Sequence, residues 1–157
     1  MALVVAVATA ACRTPQAPPS EAEEPWFEFA LIGDNPYPER NVPKFEALIQ
    51  DVNLATGLEW VLHLGDIQGG QPCSDELFQG RFDLYQQFLA PFILTPGDND
   101  WFDCSSTEAG AGYEYERLAF LRQLFFPEPG QATGGRSFAL DSQSQDQGFE
   151  EFVENSM

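Results

Sequence analysis

Residues 59–70 read EWVLHLGDIQGG. An apolar run through Trp60, Val61 and Leu62 continues past His63 and Leu64 and stops at Gly65-Asp66. A short apolar run closed by glycine predicts a buried strand. The same arrangement lies on either side. Residues 26–33, WFEFALIG, end in Gly33 before Asp34, and PFILT, residues 91–95, leads through Pro96 to Gly97-Asp98. Asp34, Asp66 and Asp98 are spaced 32 residues apart.

The intervening segments have helical periodicity. NVPKFEALIQDVNLATG places Phe45, Leu48, Ile49 and Val52 at i, i+3, i+4 and i+7, and Gly57 closes the helix. SDELFQGRFDLYQQF predicts a helix with Ser74 as N-cap and acids in its first turn. Its inner face is Leu77, the Arg81 stem, Leu84, Tyr85 and Phe88. YEYERLAFLRQLFF offers Leu118, Leu121 and Phe125 as a third helix face, and RSFAL reads as a fourth strand. Alternating strands and helices imply an α/β fold with parallel strands.

In such a sheet, ligands bind outside the carboxyl ends of the strands. Asp34, Asp66 and Asp98 are therefore expected to converge on one edge. Three neighbouring carboxylates repel unless a cation joins them. Oxygen ligands suit Mg, Ca or Mn, and mixed oxygen and nitrogen sites suit Zn or Fe. The glycines permit tight turns and clear space for a ligand.

The 157-residue chain suits one domain, and 43% hydrophobic with 13% aromatic residues is enough to bury a core. Its formal charge is −18, from 25 acids against 7 bases. Such a surface repels phosphate backbones, which argues against nucleic-acid binding. A phosphorylated substrate needs a bound cation to reverse the local field.

The first 12 residues differ from the rest. The apolar run at positions 2–11 is too short for a bilayer span, which takes roughly 20 residues. It suits the core of a signal peptide, and Ala10-Ala11-Cys12 resembles a bacterial lipobox in which Cys12 is lipidated. Residues 13–25, RTPQAPPSEAEEP, read as an extended tether, so the folded domain is expected from Trp26 to residue 157. The implied location is the periplasm or cell surface, with the membrane contacted through the lipid.

Cys73 and Cys104 each follow a Gly-Asp motif at the same expected sheet edge. An exported protein permits a disulfide between them, while two free buried thiols remain the alternative. His63 is the single histidine. It points to the strand face opposite Asp66, which suits a structural role better than a ligand's.

ALIGDNPYP, HLGDIQGG, CSDELFQGR and TPGDNDWFDC together resemble an exported bacterial branch of the calcineurin-like metallophosphoesterase family. The resemblance runs from Phe29 to about Phe125. It implies part of an αββα sandwich of two sheets with the C-terminal half missing, and a site for two divalent metals, with Mn, Fe, Zn and Mg all possible. By the same resemblance Asp34 binds the first metal and Asp66 bridges both. Asp98 takes the place of an Asn that holds the second. Two positions depart from the pattern. Pro36 stands for a ligating His, and Asn99 for the His that protonates the leaving group. Asn99 cannot shuttle a proton, but its amide can donate to a phosphoryl oxygen.

The reading is thus a metal-dependent phosphoesterase-like domain, acting on phosphate mono- or diesters with weak or no turnover. The alternative is a non-catalytic exported lipoprotein fragment, or a module that binds a cation or partner through the same acidic edge.

Overall fold

The computed structural model describes residues 26–69, 73–104 and 113–156. The expected signal segment, Cys12 and the tether lie outside these residues. The element order is β1 (Glu28–Ile32), α1 (Val42–Leu54), β2 (Leu58–His63), α2 (Asp75–Tyr85), β3 (Pro91–Leu94), α3 (Tyr113–Phe125), β4 (Thr133–Gly134), β5 (Asp141–Ser142) and β6 (Asn155–Ser156). The first four strands form one sheet in the order β1-β2-β3-β4, and β5 pairs with β6 separately.

β1, β2 and β3 are parallel, with Ile32 opposite His63 and His63 opposite Leu94. Backbone bonds from Leu64 to Ile32 and from Thr95 to His63, of 2.9 and 2.8 Å, carry the ladder past the strand ends. α/β is therefore the fold class. The expectation of a wholly parallel sheet needs correction, because β4 runs antiparallel to β3. RSFAL is not the fourth strand either. It folds back on the preceding segment through a 2.9 Å bond from Ala132 to Phe138 and a bridge between Gln131 and Ala139.

Strands in simple sequential order, joined by right-handed crossovers, place successive helices on the same face. That face holds the core. Alternation along the strands sends Ala30, Ile32, Val61, Phe92 and Leu94 into it, against Phe45 and Ile49 of α1, Phe78, Leu84 and Tyr85 of α2, and Leu121 and Phe125 of α3. Tyr85 stacks on Phe92 with centroids 4.8 Å apart, and Phe45 meets Tyr85 edge-on at 5.6 Å. Burying each such ring contributes roughly 1.5–3 kcal/mol.

The helix faces deviate by a position. Leu48 is exposed on α1, where Phe45 and Ile49 make the contact. On α2 it is Phe78, not Leu77, that is fully buried. Leu118 is half-buried, while Arg117 beside it is buried. The Ser74 hydroxyl caps α2 by accepting from the Leu77 N–H at 3.2 Å.

The opposite face of the sheet corrects the expectation of a buried first strand. Phe27, Phe29 and Leu31 are 57%, 44% and 56% exposed there. Phe29 and Phe27 lie against Trp60 at 5.8 and 5.1 Å, and Phe138 covers the far side of that indole. The Trp60 Nε1–H is buried without an acceptor among the described residues. No helix of the described residues is long and apolar enough to cross a membrane.

Candidate functional site

The ends of β1 and β2 do something unusual with their aspartates. Asp34 and Asp66 both have left-handed backbones, with φ of 59° and 53°. L-residues adopt this region rarely, and Asp more readily than most. Each follows a glycine at the carboxyl end of its strand, and an N–H of Asp34 bonds the Gly65 carbonyl at 3.0 Å. The turn thus aims both residues into an open cleft of about 570 Å³, lined by Gly33, Asp34, Asn35, Gly65 and Asp66.

Asp98 comes from a single turn of 3-10 helix, Asp98–Asp100, after β3. Asp98 is exposed at this point of the loop. Burial raises the Asp66 pKa above the usual carboxylate range; the Asn99 N–H lowers it, and the charges of Asp98 and Asp34 raise it further. Asp34 and Asp98 thus act on Asp66 through their charges at this edge of the sheet. Among the described residues, no group of three or more His, Cys, Asp and Glu side chains is already drawn together as a cation cage.

Neighbouring groups hold these carboxylates. The Tyr37 hydroxyl donates to Asp34, and the Asn99 N–H donates to Asp66 Oδ1 at 3.3 Å. Gly97 makes room for Asp66, because a Cβ there would fall 2.0 Å from its Oδ1. The Asn99 side chain makes no hydrogen bond among the described residues, so its amide is available to a ligand. Pro36 is fully buried and has no donor atom to offer.

Asp100 has a structural role that sequence reasoning missed. It is fully buried, and its carboxylate accepts from the Asp66, Ile67 and Gly97 N–H groups at 2.9, 2.7 and 2.8 Å. It clamps the loop after β2 to the loop after β3. Burial pushes its pKa up to about 6 against the pull of those donors. The one available signal was an acid at the close of GDND, a motif that already supplied a solvent-facing carboxylate.

His63 serves the same end of the sheet from within. Its Nδ1 accepts from the Gly65 N–H at 3.1 Å, so the proton sits on Nε2 and is donated to the Asn35 carbonyl at 3.1 Å. Tyr85 donates to that same carbonyl at 3.0 Å. Burial lowers the imidazole pKa to about 4, so the ring is neutral at ordinary pH. Its two bonds tie the residue after Asp34 to the residue before Asp66.

Cys73 and Cys104 are joined as a disulfide with Cα atoms 5.5 Å apart. The bond links the start of α2 to the end of the Asp98 loop. Gln68 lies between them and donates to the Asn99 carbonyl. The chain matches no family model, no curated protein and no solved structure.

Proposed function

We propose that the cleft lined by Asp34 and Asp66, together with the nearby Asp98, is a divalent-cation site of a phosphoesterase-like domain with low turnover. The observation that carries the reading is the pair of left-handed aspartates at the ends of adjacent parallel strands. Backbone strain of this kind collects at functional sites. The charges of Asp34 and Asp98 raise the pKa of Asp66, a repulsion that a cation would relieve. An all-carboxylate donor set fits a hard cation such as Mg or Mn better than Zn, which favours nitrogen and sulfur.

A cation held by Asp34, Asp66 and Asp98 supplies charge neutralisation at phosphoryl oxygens and a more acidic water. The chain's own groups do the rest. Tyr37 and the Asn99 N–H orient two of the carboxylates. The Asn99 amide donates to a phosphoryl oxygen, but it has no proton to give a leaving group. A missing general acid costs about 10²–10⁴-fold, which accounts for weak turnover. The exposed apolar side of β1 supports the wider αββα reading, since a second layer on Phe29 and Leu31 would cover it. Export and lipidation at Cys12 complete this proposal. A non-catalytic cation-binding module is the second reading, favoured by Pro36 and Asn99 in place of histidines.

The test is calorimetric titration with Mn and Mg, beside turnover of p-nitrophenyl phosphate and its bis ester. Saturable binding that is lost in Asp66→Ala, with slow cation-dependent turnover, is expected. Binding without any turnover selects the module, and no cation binding overturns both readings.

A further inference from the structure

In a chain with 7 bases among 157 residues, two arginines, Arg81 and Arg117, are buried among the described residues. A guanidinium keeps its charge when buried, so its N–H groups need acceptors. Arg117 uses all three of its nitrogens, in four bonds. It donates to Glu116 at 2.6 and 2.5 Å, to Asp75 at 2.7 Å and to the Cys73 carbonyl at 2.8 Å. Arg81 uses two. Its Nε donates to the Ile67 carbonyl at 2.8 Å and its Nη2 to Glu39 at 2.5 Å. Its Nη1 has no protein partner among the described residues and is not a fully buried atom, so it reaches solvent.

The single carboxylate facing Arg81 is not locked in place. The Arg81 side chain is 4% exposed, but that of Glu39 is 69% exposed. Glu39 can turn into water at little cost, whereas Arg81 has no such escape. Arg81 also lines a cavity of about 340 Å³, together with Tyr37, Glu39, Gly69 and Leu77. Tyr37 joins this cavity to the acidic cleft. Its ring is a wall of the cavity, fitted against Gly69 where a Cβ would come within 3.0 Å, and its hydroxyl reaches Asp34.

We propose that the Arg81 cavity is an anion subsite for an oxyanion, phosphate or carboxylate, on the leaving group of the substrate. Arg81 is the donor, and Glu39 is the internal anion that the ligand displaces. The anion site stands on the geometry of Arg81, and its assignment to a leaving group rests on the phosphoesterase reading. A site without a general acid suits a leaving group only if its oxygen is already a weak base, which points to phosphate leaving from a phosphoanhydride or carboxylate leaving from an acyl phosphate.

The experiment uses the full chain with chelator present, so that no cation bridges the ligand to the aspartates. Inorganic phosphate and acetate are titrated separately at fixed ionic strength, followed by calorimetry and by amide NMR shifts. Saturable binding of at least one is expected, about tenfold tighter in Glu39→Gln, where the competing anion is gone, and lost in Arg81→Gln. The anion that binds identifies the group. Arg81 also supports the Ile67 loop, so the surface variant Glu39→Gln decides the matter if Arg81→Gln does not fold. No binding of either anion by Glu39→Gln, or binding that this substitution leaves unchanged, overturns the proposal. Phosphoester turnover is not read, so a failure of the phosphoesterase reading leaves this result intact and the reverse also holds.

Discussion

His63 is the single imidazole of the chain, so its ring protons can be followed without assignment. Its pKa of about 4 lies below the ordinary 6.5 because burial penalises the charged ring. The unfolded chain therefore takes up the proton first as pH falls. The stability that follows is complete above about pH 6.5 and is lost on the way down to about 4. The loss amounts to roughly 3 kcal/mol. NMR should show a midpoint near 4, and the stability advantage over His63→Gln in urea unfolding should shrink between pH 7 and 4.5. A midpoint at 6.5, or an advantage that ignores pH, would contradict the buried neutral ring. Gly97 gives a second residue-scale test. Its φ of −90° suits any residue, so the cost of Gly97→Ala is one of contact alone. The new Cβ would fall 2.0 Å from Asp66 Oδ1 and 2.7 Å from the Asp66 backbone nitrogen, so the carboxylate turns away and the loop backbone shifts with it. Cation affinity should drop at least tenfold in calorimetry, while overpacking costs about 1–3 kcal/mol in urea. Unchanged affinity would place the cation elsewhere than Asp66.

At the scale of elements, the start of α2 is where several constraints meet. Ser74 caps the helix, Asp75 and Glu76 sit in its first turn, and Arg117 of α3 reaches across to Asp75 and the Cys73 carbonyl. Ser74→Ala should cost about 1 kcal/mol in chemical unfolding. The Cys73–Cys104 bond spans a sequence separation of 31 and ties this helix start to the Asp98 loop. By chain entropy it contributes roughly 3–4 kcal/mol. Reductant should therefore lower the unfolding midpoint of the wild type and leave a Cys73→Ser, Cys104→Ser double variant unaffected. Equal response of the two proteins would show that no such bond forms in solution.

Across the whole molecule, the sheet has one covered face and one that is open at β1, whereas Ile93 of β3 is buried on that second side. Parallel strands are ordinarily covered on both. Here three helices cover one face, while Phe27, Phe29 and Leu31 stand in solvent on the other. Contiguous apolar surface of this kind binds hydrophobic dyes and partners. The chain should enhance anilinonaphthalene sulfonate fluorescence, and a Phe29→Gln, Leu31→Gln variant should lower that signal without loss of helical circular dichroism. An unchanged signal would locate the dye site elsewhere. The charge of −18 sets up a mutual repulsion that opposes association through this face.

The positions of β1, β2, β3 and the three helices, the place of Asp34, Asp66 and Asp98 after those strands and the Ser74 cap were legible in the sequence, whereas β4, β5 and β6 were not. Each legible feature depends on near neighbours: a run of apolar residues, a 3.6-residue period, a glycine before an aspartate, a hydroxyl before acids. The αL backbones of Asp34 and Asp66 were not legible, because the sharp turn is imposed by the adjoining loop that accepts their hydrogen bonds. The same holds for Asp100, whose three N–H partners come from two loops about 30 residues apart in the chain and meet only when β2 and β3 pair. Hydropathy made β1 a buried strand, but its place at the sheet edge leaves one side open, since burial depends on which strand and layer lie next to it. The half-used fork of Arg81 belongs to the tertiary structure alone. Its place on the helix could be counted from Ser74, but its acceptors lie 14 and 42 residues away, and only packing decides which of its N–H groups remain free.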